Sequence, residues 1–144
     1  MTLFQRTPQL NISNSEQLRE TIHDYFHSTF NRYEQLFETL ACDEAYYKKP
    51  ISLRHPLIFY LGHTATFFIN KLILAGLISE RINPAFESMF AVGVDEMSWV
   101  DLSDSHYQWP TVQAVKDYRQ QVRTMVADII RSTPLTSAID WQAP

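Results

Sequence analysis

The chain has 144 residues, of which 45% are apolar, 13% aromatic and 19% charged, and its net charge is −4. This is the composition of one folded globular domain, long enough for a real core, and it excludes a disordered or low-complexity chain. The negative balance also argues against a broad electrostatic grip on nucleic acid or on anionic lipid.

Residues 1–12 read as an irregular arm, without the apolar run and small-residue cleavage site of a secretory leader. Ser13, Asn14 or Ser15 then offers a helix N-cap. Leu18, Ile22, Tyr25, Phe26, Thr29, Tyr33, Phe37 and Leu40 recur every three or four residues, which predicts an amphipathic helix over 13–41. His23 and His27 stand four apart on it, a spacing that can bring two imidazoles to one ion. Helical rotation places both on the solvated flank, away from Ile22, so a ligand role is not expected. Cys42 follows at the helix end beside Asp43 and Glu44, which disfavour a thiolate, and it reads as structural. A lone cysteine has no partner for an internal disulfide, which points to a reducing, cytoplasmic setting. The stretch "CDEAYYKKPIS" reads as a connection.

The second helix, "RHPLIFYLGHTATFFINKLIL", is expected over 55–76, with Pro56 in its first turn and Gly76 as its stop. It is also the one candidate membrane span. Polar groups well inside the apolar run, His63, Thr64, Thr66 and Asn70, would be costly in lipid, so it reads as a core helix and no membrane partner is expected. At about 100° per residue His63 shares a stripe with Phe59, Thr66, Phe67 and Asn70. From the residues alone, two readings of His63 stand. The one they favour is a buried neutral imidazole hydrogen-bonded to Asn or Thr; the other is one ligand of a metal site. Gly62 leaves room for a neighbouring backbone to come close. His55, just before Pro56, reads as a capping or surface residue.

Residues 78–110 form a long connection, a length that in a compact domain goes with function or with short helices of its own. Between Ile82 and Val115 there is no Lys or Arg, but Glu87, Asp95, Glu96, Asp101 and Asp104 all fall there. They read as a solvated acidic loop, or as the rim of a site for a cation or an ammonium group. His106 reads as an ordinary loop histidine, the lesser alternative being a contribution to a site from the loop. A third long helix is predicted over 110–132, with Val112, Val115, Tyr118, Val122, Met125, Val126 and Ile129 on one face. The fold class is therefore all-α: a single helical domain over 1–144, an up-down bundle. A helix as apolar as the second needs partners on more sides than two others supply, so most of a fourth helix is expected to be lacking. No Gly-rich phosphate loop, paired-cysteine motif, GxSxG elbow or HExxH helix occurs.

Three stretches carry a resemblance. "RHPLIFYLGHTATFFINKLILAGLI", "RINPAFESMFAVGVDEMSWVDL" and "YQWPTVQAVKDYRQQVR" together resemble the N-terminal part of the ovothiol-biosynthesis sulfoxide synthases. These are also called 5-histidylcysteine sulfoxide synthases, relatives of the ergothioneine enzymes. The resemblance runs from about Leu53 onward and is most distinctive over residues 82–102. It implies a DinB-like four-helix bundle holding a non-haem Fe(II) with three histidines, and an oxidoreductase that couples cysteine to histidine with O2. The family's "HT" motif is Gly62-His63-Thr64 here, which makes His63 a metal ligand by resemblance. The other two ligands belong to an HxxxHxE motif on the fourth helix, and no HxxxHxE occurs in this sequence. "IDWQAP" resembles the lead-in to that helix, and Val100 stands where the family carries an acid. One imidazole does not hold Fe(II), so the expectation is a chain inactive alone, its iron site unfilled, with His63 the one family ligand present. The open apolar face implies a homodimer. The alternatives are a standalone DinB-like interaction module, and a small DinB-like metal-dependent hydrolase or thiol transferase.

Overall fold

The computed structural model describes residues 6–10, 14–52, 54–92 and 108–135. Among them the chain is helical: α1 (Ser15–Phe37), α2 (Glu44–Tyr47), α3 (Leu57–Leu74), α4 (Pro84–Met89) and α5 (Val112–Ser132). The three long helices fall where the apolar periodicity put them, with shorter ends, and an all-α DinB-like bundle is what the described residues form.

The ends have local causes. Of the three candidate caps, Asn14 is the one used; its side-chain oxygen accepts from the N–H groups of Glu16 and Gln17 at 3.0 and 3.1 Å. Pro56 precedes α3 as its cap residue rather than sitting in its first turn. At the other end Gly76 takes φ +68°, the Gly76 N–H donates to the Ile73 carbonyl and the Leu77 N–H to the Leu72 carbonyl. Those two bonds make a Schellman stop, which only a residue tolerant of the left-handed region closes cheaply. Asn83 and Thr111 cap α4 and α5 through their side chains.

α3 is the centre of the fold, packed on α5, α4 and α2, while α1 lies against α5. It is the one described helix long and apolar enough to cross a bilayer, and its neighbours here give it the core-helix setting expected from its polar residues. Two apolar clusters result. One gathers Phe26, Phe30, Ala65, Ile69, Val122 and Val126; the other gathers Tyr46, Ile58, Phe59, Leu61, Phe90 and Val115. Phe86 packs against both.

Three expectations need correction. The connection after α1 contains a short helix, because Tyr46 buries its ring and donates its hydroxyl to the Phe37 carbonyl at 3.1 Å; Cys42 in that connection is exposed. Glu87 is neither solvated nor on a cation rim. Its buried carboxylate accepts from the Ile82 and Asn83 N–H groups, each at 3.0 Å, and from Arg81 Nη1 at 2.9 Å, so it ties the start of α4 to the preceding loop. The space beside Gly62 is filled not by a backbone but by the ring of Phe90, which follows α4. Asp95, Glu96, Val100, Asp101, Asp104, His106 and the "IDWQAP" stretch lie outside the described residues.

Candidate functional site

The polar seam predicted along α3 does not form one chain. Thr66 pairs with the Tyr118 hydroxyl at 3.3 Å. Asn70 donates to the Glu87 carbonyl at 3.4 Å and accepts from Arg81 at 2.7 Å. His63 reaches neither, so the bonding first expected of it as a core histidine is corrected. Its Nδ1 lies 2.7 Å from the Phe90 carbonyl oxygen. A carbonyl only accepts, so Nδ1 carries the hydrogen and the lone pair of the neutral ring falls on Nε2. The ring lies parallel to Phe59, with centroids 5.4 Å apart and an interplanar angle of 11°, and a tilted Phe67 stands 6.4 Å away. Phe59 and Phe67 are the stripe neighbours that the helical spacing predicted for it.

His63 forms part of the wall of a cavity of about 310 Å³ between α1 and α3, open to solvent. α1 contributes Phe26, Thr29, Phe30 and Tyr33; α3 contributes His63, Thr64, Phe67 and Phe68; Arg119 of α5 completes the lining. The groove exists because α1 rests on α5, while side chains such as Phe26 and Phe68, edge to face at 5.5 Å, bridge it to α3.

Arg119 is the residue that sequence reasoning missed. Its side chain is 1% exposed. Nε donates to Glu34 Oε1 at 3.0 Å, and Nη1 to the Leu61 carbonyl and to Thr64 Oγ1, both at 2.7 Å. The guanidinium lies over the rings of Phe30 and Tyr33, at 4.4 and 5.2 Å. Burial pulls its pKa down from the ordinary arginine value, and the Glu34 carboxylate opposes that shift. The signal was present in the sequence. Position 119 falls four after Val115 and three before Val122, on the apolar stripe, and a charge there has to be paired.

His23 and His27 are brought together, but not on a solvated flank. Arg123 of α5 reaches across and donates from Nε to His27 Nδ1 at 2.9 Å. His27 Nε2 therefore carries its hydrogen and donates to His23 Nε2 at 3.1 Å, while His23 Nδ1 lies 3.6 Å from Asp24 Oδ1. A pair with a hydrogen between its rings does not present two lone pairs to one ion. Desolvation, then Arg123, lowers the His27 pKa below its ordinary 6.5. A histidine with a depressed folded-state pKa contributes stability fully above the unfolded value, and that contribution is lost as pH falls below about 6.5. NMR titration should show His27 protonating below that value, and His27→Gln should flatten the acid side of the stability curve; a His27 midpoint at or above it would refute this.

His55 is buried, not a surface residue. Its ring stacks on Phe59 at 3.9 Å, because Pro56 turns the chain so that the imidazole folds back along the first turn of α3. Among the described residues no three His, Cys, Asp or Glu side chains converge as an ion's ligands would. The profile of the DinB superfamily matches residues 25–144. No curated protein matches the chain.

Proposed function

This chain belongs to the DinB superfamily, and on that premise we propose that it is the histidine-bearing bundle portion of a non-haem Fe(II) sulfoxide synthase of the ovothiol type, with His63 as its metal ligand. One observation supports this most: the Phe90 carbonyl, 2.7 Å from Nδ1, fixes the tautomer and leaves the lone pair on Nε2 of a ring that lines the groove. Metal-ligating histidines are held in this way, the second nitrogen donating to a carbonyl or carboxylate that sets ring orientation and raises basicity.

The residues present fit one ligand and not a complete site. A single imidazole holds a divalent ion poorly, and at least three protein donors are needed for a stable site with an open position. Among the described residues no such set exists, so no reaction step through iron is assigned to them. What they supply is a ring held between Phe59 and Phe67, an apolar wall, and a buried guanidinium beside it. In this reading the remaining donors would come from the family's HxxxHxE motif, which does not occur in these 144 residues. Cysteine, histidine and O2 are the substrates in this reading.

Paramagnetic Ni(II) tests the ligand. Added below stoichiometry, it should broaden NMR signals around His63, Thr64 and Phe67, and His63→Ala should abolish that broadening. Broadening confined to His23 and His27 in both proteins would overturn the assignment. The coding frame tests the finer reading: continuation past the Pro144 codon into an HxxxHxE helix supports it, and an immediate stop codon overturns it.

A further inference from the structure

We propose that the groove between α1 and α3 binds a small organic monocarboxylate with an aromatic or apolar body, anchored by Nη2 of Arg119. The guanidinium has five N–H donors. Nε and Nη1 are engaged by Glu34, Leu61 and Thr64, whereas Nη2 makes no hydrogen bond among the described residues. Arg119 is nevertheless 1% exposed and lines the groove. The Nη2 edge is not sealed in the core, so its two donors are open to an acceptor that enters the groove.

Charge selects the partner. Glu34 is shared between two guanidiniums, with Oε1 at 3.0 Å from Arg119 Nε and Oε2 at 4.0 Å from Arg123 Nη1. With Lys71 Nζ 5.2 Å from the Phe67 ring centroid as a third cation, positive charge is in surplus beside the aromatic walls. A carboxylate answers Nη2 through a charge-assisted hydrogen bond. A phosphate would leave its remaining oxygens against apolar walls without donors. A second carboxylate would meet the acceptor nitrogen Nε2 of His63. The volume of about 310 Å³ suits one ring with a short acid side chain. The proposal does not depend on a metal at His63, and its failure leaves the metal reading standing.

The test is an NMR titration of the protein, with a chelator present, using phenylacetate and its neutral amide, phenylacetamide. Phenylacetate should bind saturably and shift signals of Thr29, Thr64, Phe67 and the Arg119 guanidinium. The amide should bind at least about tenfold more weakly, the loss expected for one charge-assisted hydrogen bond. This comparison needs no substitution at Arg119, whose removal threatens the fold. As a second check, Phe67→Glu places a carboxylate at the groove mouth, on a residue 42% exposed, and should weaken phenylacetate at least about tenfold. Equal binding of acid and amide, absence of saturable binding, shifts outside the groove, or a groove closed by a second copy of the chain would each overturn the proposal.

Discussion

Arg119→Met is expected to lower stability by about 3 kcal/mol, read as a fall in the urea midpoint at unchanged slope. Methionine keeps much of the length and apolar volume, so the loss isolates the guanidinium. Removing it leaves the Leu61 carbonyl and Thr64 Oγ1 without their 2.7 Å donor and leaves Glu34 facing the core with Arg123 at 4.0 Å. It also removes a cation stacked 4.4 Å over Phe30. The figure sits at the low end for breaking a buried pair because the Glu34 side chain keeps 33% of its exposure. Arg119→Met combined with Glu34→Gln should recover part of the loss, since the stranded charge is then gone. A single-variant loss below about 1 kcal/mol would place this pair with ordinary surface bridges.

Gly62→Ala should also destabilise, by about 1–2 kcal/mol net, although alanine is the better helix former. Propensity favours the substitution by about 1 kcal/mol. Against this, a Cβ built at position 62 would stand 2.5 Å from two atoms of the Phe90 ring and 2.6 Å from a third. That ring is fully buried, so it cannot swing aside, and overpacking of this kind costs about 1–3 kcal/mol or more. The steric term wins. Because Phe90 also supplies the carbonyl bonded to His63, the imidazole resonances of His63 should shift as well. Phe90→Leu in the Gly62→Ala background should cost less than Phe90→Leu alone, the sign of a direct clash. A stabilised, spectroscopically silent Gly62→Ala would show that the ring yields.

The fold was legible because its signals are local. Caps at Asn14 and Thr111, the stop at Gly76 and the three-and-four spacing of apolar residues each act within a turn or two. The site was legible only as one residue. His63 stood out as a polar group in an apolar run, but its bonding partner lies on the segment after α4, 27 positions away, and periodicity carries no information about that. The partners of His27 and Arg119 are likewise distant, at Arg123 and Glu34. Gly62 was read correctly as a close approach, while the identity of the approaching group depended on where α4 docks. Glu87 was misread for the same reason: an acid in a loop looks solvated until the loop closes around it.

The acceptor that sets the His63 tautomer is a main-chain carbonyl. No amino-acid replacement at position 90 deletes it, since every residue type brings the same C=O. The proton on that imidazole is thus insulated from point mutation of its partner, and remains open to displacement of the partner by a change of shape. Substitutions that disturb His63 without touching it should therefore gather at residues with no ionisable group, Gly62 and Phe90 foremost.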